Sequence, residues 1–351
     1  METINSSKIT ELNKIFDNAT DIVLTAHTKP DADAVGSCVA MSRYLNEIKG
    51  KKVRTVFADP VPETIDFVLR EEDRQRLTVF KSARDTALEA ILRCDLIICL
   101  DCNSFDRTSD LEMPFRKSTA VKVLIDHHLN PATEDFNLVF STPDISSSCE
   151  LEYYILKEMP EIGGDAKNLP ATAADALLTG MTTDTNNFSN SVFPTTFTMA
   201  SELMAAGVNR DLILGRLYNE YRENRVRFMG YMLKDNLVIT EEGAAFMIAD
   251  NDMLEKYDIH EGETEAFVNI PLAIGKVRIS IFLKQDEGFF RVSARSKEDV
   301  SANAFATRFF HGGGHEHAAG GRLFFPSDIE TPDKAASFLR KAITDFFSGQ
   351  E

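Results

Sequence analysis

Apolar runs alternate with amphipathic stretches in the first half of the chain, and this alternation restricts the fold more than any other feature. Four apolar runs read as strands: DIVLTAH (21–27), KKVRTVFAD (51–59), CDLIICLDC (94–102) and TAVKVLIDHH (119–128). Four segments have helical character: 34–49, 83–93, 146–159 and 171–184. Apolar strands separated by helices favour a parallel sheet covered on both faces. The sequence therefore predicts an α/β fold, with an N-terminal parallel-sheet domain that carries helices on both faces.

The second half has a different pattern and predicts a second, smaller domain. Residues 191–235 read as helices, with Gly207 ending one and Asn209 capping the next. Residues 236–249, 265–274 and 276–296 read as strands, with a hairpin turn at 286–288, and two helices follow. We therefore expect three parts: a catalytic domain at 1–190, a helical connector at 191–235 and a mixed α/β substrate-binding domain at 236–351.

Composition limits the partners and the compartment. The chain has 351 residues and a formal net charge of −17, with no apparent basic stripe to grip long DNA or RNA. It has no apolar run long enough to cross a membrane and no signal-peptide pattern at the start. Its five scattered cysteines suit reduced thiols, so we expect a cytoplasmic protein. The Cys99–Cys102 pair is interpreted as strand-end packing rather than a zinc or redox site.

Aspartate and histidine residues cluster at the carboxyl ends of the predicted elements. The clusters are His27, Asp31 and Asp33 in HTKPDADAVGS, Asp101 in LIICLD, Asp126, His127 and His128 in LIDHH, and Asp184 in GMTTD. A simpler interpretation of the first cluster is a turn in which Asp33 caps the next helix. However, ligands bind beyond the carboxyl ends of strands in open parallel sheets. The conjunction of the clusters therefore favours a metal site.

The ligand types indicate which metal the site would take. Carboxylate oxygens with imidazole nitrogens suit Mn²⁺, with Mg²⁺ as the alternative, whereas a structural zinc site would use thiolates. Four aspartates would balance two divalent ions, and without metal they would repel one another. We therefore expect two ions, bridged by one carboxylate.

These motifs, in this order, resemble those of the DHH phosphoesterase superfamily, and GGGHEHAAGG (312–321) resembles the signature of its DHH-associated C-terminal domain. The chain is most similar to the class of bifunctional oligoribonucleases and pAp phosphatases. The resemblance implies one manganese ion held by His27, Asp31 and Asp101. It implies a second ion held by Asp33, Asp101, His127 and Asp184, so that Asp101 bridges the two. Asp126 and His128 would support the metal ligands or face the substrate.

The resemblance also implies a substrate-binding role for the second domain. The residues it assigns to substrate are Arg295, His311, Gly312, Gly313, Gly314 and His315, with Arg295 holding a phosphate. The chain departs from the family at Glu316-His317 and at Asn186, where a glycine is common. These departures leave the contacts to the base and the loop after Asp184 open.

The function implied is the hydrolysis of short oligoribonucleotides, pApA or pAp, by water attack at two metal ions. The alternatives are a cyclic di-AMP phosphodiesterase and a non-catalytic nucleotide-binding protein on the same scaffold. The GGGH segment argues against a family II pyrophosphatase. The sequence leaves open which substrate is preferred and whether the chain forms a homodimer.

Overall fold

The structure is a computed structural model that describes residues 4–297 and 299–348. It divides between Glu220 and Tyr221 into two compact units. The division lies inside the segment 191–235 that we predicted as a connector. Residues 191–220 of this segment belong to the first unit, and residues 221–235 belong to the second.

The first unit contains a six-stranded, wholly parallel sheet within the described residues. Its strands are β1 (Asp21–Thr25), β2 (Lys52–Phe57), β3 (Leu77–Val79), β4 (Leu96–Leu100), β5 (Val121–Asp126) and β6 (Leu138–Ser141). Their spatial order is β3-β2-β1-β4-β5-β6. The direction of winding therefore reverses between β1 and β4, which opens a crevice at their carboxyl ends.

Helices cover both faces of this sheet, as predicted. They are α1 (Ser6–Asn18), α2 (Ala32–Arg43), α3 (Glu71–Arg76), α4 (Arg84–Arg93), α5 (Glu112–Lys117), α6 (Ser148–Lys157), α7 (Ala171–Asp184), α8 (Pro194–Ala205) and α9 (Arg210–Tyr218). Every residue of β4 is buried. Ile98 belongs to the apolar cluster that includes Val35 of α2, and its neighbour Ile97 belongs to the cluster that includes Ile91 of α4. Successive side chains of β4 therefore pack into two separate apolar cores, one on each face of the sheet.

The second unit is a mixed sheet with helices, also as predicted. Its strands are β7 (Val238–Ile239), β8 (Ala244–Ala249), β9 (Ile279–Asp286), β10 (Phe289–Ser296), β11 (Gly313–His315) and β12 (Ala318–Phe324). Its helices are α10 (Glu223–Tyr231), α11 (Asn251–Lys256), α12 (Ala302–Phe309) and α13 (Ala335–Ser348). The order is β11-β12-β10-β9-β8-β7, with β8 and β9 parallel and the other neighbours antiparallel.

Short helical turns connect these elements. The 3₁₀ turns are Glu63–Val68, Phe105–Leu111, Thr133–Asp135, Ala166–Asn168, Phe267–Ala273 and Pro332–Lys334, and the π turns are Tyr44–Ile48 and Met232–Asn236. The strand predicted at 265–274 is wrong, because this segment forms the 3₁₀ turn Phe267–Ala273. Pro271 lies inside it and has no N–H for a sheet ladder, and Ala266 before it is left-handed with φ 67°.

All five cysteines are buried thiols in the described part of the chain. Cys99 donates its S–H to the Cys102 carbonyl at 3.3 Å, and Cys102 donates to the Ser104 carbonyl at 3.0 Å. These contacts fit the packing role that we expected for the pair. Among residues 4–297 and 299–348, we find no helix with both the length and the apolar character needed to span a bilayer.

Candidate metal centre

The loop between β1 and α2 positions the first three predicted ligands. Asp31 is the N-cap of α2, and its Oδ1 accepts hydrogen bonds from the backbone N–H groups of Asp33 (3.0 Å) and Ala34 (3.1 Å). The interpretation that Asp33 caps this helix is therefore wrong in its residue. Capping occupies Oδ1 of Asp31, while its Oδ2 lies 3.8 Å from Nε2 of His27. The same side chain thus starts the helix and presents an oxygen to the histidine.

Asp101, directly after β4, is the central group of the cluster. Its Oδ2 lies 3.4 Å from Nε2 of His27, and its Oδ1 lies 3.6 Å from both Nε2 of His127 and Nδ1 of His128. The side chain is 2% exposed, and the backbone is left-handed with φ 51°. Its N–H donates to the Ile125 carbonyl at 3.0 Å, which ties the turn to β5. The two oxygens of one carboxylate therefore serve two sets of neighbours.

His127 lies near three of the aspartates in the second set of neighbours. Its Nε2 lies 3.6 Å from Oδ2 of Asp184 and 4.0 Å from Oδ2 of Asp33, in addition to its contact with Asp101. Asp184 is the last residue of α7, so it reaches the cluster from a helix beside the sheet and not from the end of a strand. The structure thus brings together all six residues that we predicted as metal ligands.

Two groups with metal-ligand spacing share Asp101. Within each group, the ligand atoms lie within 4.8 Å of one another: His27, Asp31 and Asp101 in one, and Asp33, Asp101 and His127 in the other. Imidazole nitrogens and carboxylate oxygens at this spacing are a donor set for divalent ions such as Mn²⁺. The residues present therefore fit the metal that the sequence pattern implied.

Asp126 and His128 form a pair at the end of β5. Oδ1 of the fully buried Asp126 lies 2.8 Å from Nδ1 of His128, and Oδ2 accepts the His128 backbone N–H at 2.9 Å. Asp126 therefore orients His128, rather than one of the histidines expected to bind metal. Asp101, Asp126 and His128 also have metal-ligand spacing, but the Asp126 oxygens are already engaged by His128.

The N-terminus of α6 contributes residues that the sequence analysis missed. The backbone N–H groups of Ser148 and Cys149 donate to the two oxygens of Asp33 at 2.7 and 3.0 Å, and the Ser148 hydroxyl donates to Oδ1 of Asp101 at 3.0 Å. Free N–H groups at a helix N-terminus stabilise a carboxylate. The SSSC run that begins α6, with Ser147 as its N-cap, is the sequence signal that could have indicated this support.

The charges of the site show why it would attract cations. Burial opposes ionisation of His27, but its hydrogen bonds with Asp101 and Asp31 outweigh burial and raise its pKa well above the ordinary value. Burial would also raise the pKa of Asp101, but the neighbouring His27, His128 and His127 lower it below the ordinary value. Burial and the charges of Asp101 and Asp31 raise the pKa of Asp33 well above its ordinary value. Without a cation, the buried carboxylates thus depend on the histidines to balance their charge.

Two glycines let α2 and α7 approach closely enough to place Asp184. A Cβ on Gly180 would lie 2.4 Å from Sγ of Cys149 and 3.0 Å from Cα of Asp33. A Cβ on Gly36 would lie 2.7 Å from the Ala176 carbonyl oxygen. The close approach of these helices brings the end of α7 to the start of α2, where the metal-ligand cluster lies.

The loop after Asp184 is left-handed over three residues. Asn186, Asn187 and Phe188 have φ values of 47°, 53° and 65°. Asparagine tolerates this region better than most residues other than glycine. The structure therefore gives a backbone reason why Asn186 can stand where the sequence analysis noted that a glycine is common.

In the second unit, the glycine-rich signature forms an antiparallel hairpin. Gly313 is paired with Gly320, and His315 with Ala318. A Cβ on Gly312 would lie 2.0 Å from the Gly320 carbonyl oxygen, so close backbone packing alone requires this glycine. Gly314 is also needed locally, because its φ is 146°. Gly313 is different, since its Cβ would meet nothing closer than Oδ1 of Asn303 at 3.4 Å among the described atoms.

Arg295 and His315 lie at the same level of the second sheet. Both are in register with Ala318, from opposite sides of β12. Directly paired residues of antiparallel strands point to the same face, with neighbouring strands about 4.8 Å apart. His311 lies after α12, and its Nε2 is 3.1 Å from both carboxylate oxygens of Asp328. The structure thus groups Arg295 with His315 and pairs His311 with an acid.

Each of the two units matches a known protein family. Residues 21–181 match the family described as DHH family, N-terminal domain, and residues 244–348 match the DHHA1 domain. The crystal structure of an exopolyphosphatase-related protein from Bacteroides fragilis superimposes with a TM-score of 0.88 and 30% sequence identity, covering 99% of this chain and 98% of that one.

Two curated relatives indicate the range of activities among similar proteins. The bifunctional oligoribonuclease and PAP phosphatase NrnA of Bacillus subtilis is 28% identical over 90% of this chain and 93% of its own length. The cyclic-di-AMP phosphodiesterase GdpP of Geobacillus thermodenitrificans is 28% identical over 96% of this chain. The match spans only 49% of GdpP.

Proposed function

The chain belongs to the DHH family of phosphoesterases, and we propose that it hydrolyses short oligoribonucleotides, and pAp, to mononucleotides with two Mn²⁺ ions. The observation that carries the proposal is the position of Asp101, whose two oxygens face His27 on one side and His127 on the other. One carboxylate between two ligand groups is the arrangement expected of a two-metal hydrolase.

We assign His27, Asp31 and Asp101 to one ion, and Asp33, Asp101, His127 and Asp184 to the other. When bound, the ions would polarise the phosphate oxygens and activate water for in-line attack on phosphorus. The protein's own part is to hold the ligands in place: Asp31 is fixed by capping α2, and Asp33 by the N–H groups of α6. The low pKa of Asp101 keeps it ionised at neutral pH, ready to bridge.

His128 is the candidate for proton handling. Asp126 accepts a hydrogen bond from its Nδ1–H, which sets the tautomer and leaves the lone pair on Nε2. In this form Nε2 can accept a proton from the substrate side, and the resulting imidazolium can return it to a leaving oxygen. Asp126 acts through His128 and is therefore a positioning residue.

We propose that the second unit binds the substrate. Arg295 and His315 share a sheet face, and a guanidinium group suits a phosphate. The hairpin requires glycine at Gly312 and Gly314, but a side chain at Gly313 would meet no close contact among the described atoms. The absence of a side chain at Gly313 therefore leaves room for a ligand to approach the backbone. The net charge of −17 favours short substrates over long nucleic acids. Five buried thiols are consistent with a cytoplasmic enzyme.

A cyclic di-AMP phosphodiesterase is the second candidate, because the chain is as similar to GdpP as to NrnA in sequence identity. The match covers 93% of NrnA and 49% of GdpP. A non-catalytic nucleotide-binding protein is disfavoured, since all six ligand positions are present and grouped.

The test is hydrolysis of pApA, a five-nucleotide RNA, pAp and cyclic di-AMP side by side, with Mn²⁺ and with chelator. Asp101→Asn is the better inactive control than Asp101→Ala, because asparagine tolerates the left-handed backbone at this position. Manganese-dependent release of AMP from RNA, pApA or pAp, lost in the variant, is the expected result. Turnover of cyclic di-AMP alone would transfer the chain to the second candidate, and no turnover of any substrate would refute the proposal.

A further inference from the structure

A groove of about 370 Å³ lies at the amino-terminal edge of the parallel sheet, in the first unit. The first residues of β1 and β2 and the end of α3 line it, and α4 forms another wall. The metal-ligand cluster is at the opposite, carboxyl-terminal edge of the same sheet, about 17 Å away along β1 at 3.3 Å per residue. The groove is therefore separate from the candidate metal centre.

The groove has more positive than negative groups. Its charged residues are Asp21, Lys52, Arg54, Arg76, Glu89 and Arg93. Both carboxylates are already paired: Asp21 with Lys52 at 2.5 Å and Glu89 with Arg93 at 2.8 Å. Arg54 and Arg76 remain as a positive pair, in a chain whose net charge is −17.

Arg54 lies in β2, and Arg76 is the last residue of α3, directly before β3. Thr55 of β2 is in register with Leu77 of β3, and Arg54 and Arg76 immediately precede that pair. Two positive groups that line one groove repel each other. An anion between them would turn this repulsion into attraction.

Arg54 and Arg76 have no carboxylate partner among the described residues. Arg54 donates from Nη1 to Oγ1 of Thr78 at 3.3 Å. Nη1 of Arg76 is buried and has no hydrogen-bond partner among the described residues, so a ligand in the groove would use the other donors of this guanidinium. Glu72, on the same helix as Arg76, is paired with Arg43 at 3.2 Å.

We propose that this groove binds the phosphate group of a small phosphorylated molecule through Arg54 and Arg76. Guanidinium groups match phosphate oxygens with two parallel N–H donors each. The volume lies within the range of small-molecule sites and would admit a mononucleotide. Ile22, Val53 and Ala90 provide apolar lining for the rest of such a ligand. This binding does not depend on the proposed hydrolytic function.

The test is calorimetric titration with AMP and with inorganic phosphate, in chelator and in an Asp101→Asn background that disables the metal centre. Saturable binding is expected there, and Arg54→Gln and Arg76→Gln should each weaken it at least tenfold. Arg76→Lys keeps the charge without the fork and should weaken it less. Arg116→Gln is the matched control: Arg116 lies outside the groove, paired with Glu112 at 2.9 Å, and its loss should change affinity less than twofold.

The two probes identify the source of the phosphate. If AMP binds at least tenfold more tightly than phosphate, the ligand of the groove is a nucleotide. Equal affinity for the two probes would show that Arg54 and Arg76 bind the phosphate group alone. No saturation by either probe at 10 mM, or unchanged affinity in both arginine-to-glutamine variants, would overturn the proposal. Melting curves of the variants show whether each remains folded. Because the metal centre is disabled throughout, a failure of the hydrolytic proposal would leave this result unaffected.

Discussion

Gly180→Ala tests whether close packing of α7 against α2 places Asp184 in the metal centre. The added Cβ would lie 2.4 Å from Sγ of Cys149 in α6, where about 3.4 Å is the shortest ordinary contact, so the thiol and α7 must move apart by about 1 Å. Moving the thiol alone does not relieve the crowding, because the Ala32 carbonyl oxygen and Cα of Asp33 in α2 are each 3.0 Å away and must yield by a few tenths of an ångström. Overpacking of this kind costs about 1–3 kcal/mol.

The displacement should also reach the chemistry. Asp184 lies one helical turn after Gly180, and a misplacement of about 1 Å can lower the rate about 100-fold. We therefore expect weaker Mn²⁺ binding in calorimetry, a lower kcat and a lower unfolding free energy in denaturant titrations. The double variant Gly180→Ala/Cys149→Ala should recover part of the loss, since the sulfur contact is removed and the backbone contacts remain.

Gly215→Ala is the matched control. Gly215 also lies inside a helix of the first unit, α9, but its Cβ would meet no described atom within 4 Å. Replacing a helical glycine that has open space around its Cβ by alanine should stabilise the protein by about 0.5–1 kcal/mol. If Gly180→Ala behaved like Gly215→Ala in both stability and Mn²⁺ affinity, the packing argument would be refuted.

Other substitutions test single contacts. Burial and the charge of Asp33 raise the pKa of the Glu152 carboxyl well above 4.5, so this group stays protonated in the folded protein but ionises in the unfolded chain above pH 4.5. Glutamine cannot ionise, so the unfolding free energy of Glu152→Gln should equal that of the wild type below pH 4.5 and exceed it by about 1–3 kcal/mol at pH 8. Denaturant unfolding in chelator measures this difference. A gain that is the same at every pH would contradict this. Asp126→Asn should lower kcat about 10–100-fold with Mn²⁺ content unchanged, because it loosens His128; unchanged kcat would remove Asp126 from the mechanism. Gly312→Ala should destabilise the second unit by about 1–3 kcal/mol, whereas Gly313→Ala should fold normally and raise KM, and equal unfolding curves for the two would argue against the hairpin explanation.

The sequence sufficed for the strands that carry the site, because their patterns are strong. β1, β4 and β5 are apolar runs that end in Asp or His clusters, and parallel topology brings such ends to one edge. The order of the strands was not available from the residues alone. Placing β1 beside β4 depends on long-range packing, and this adjacency is what joins His27 to Asp101.

Elements without a strong pattern were missed or misread. β3 has only three residues and β6 only four, too few to show a period. The segment 265–274 is apolar enough for a strand, but Pro271 should have argued against it. The capping residue of α2 was misread because Asp31 and Asp33 both suit an N-cap, and only the backbone conformation distinguishes them. The support from Ser148 is a tertiary contact across 47 residues, beyond the reach of local spacing.

The central claim is that Asp101 bridges two ions, and the most direct test is the manganese stoichiometry of the purified protein together with its electron paramagnetic resonance spectrum. The account predicts two Mn²⁺ per chain with an exchange-coupled signal, and loss of that coupling in Asp101→Asn. A single ion per chain, or two ions without coupling in the wild-type protein, would contradict it.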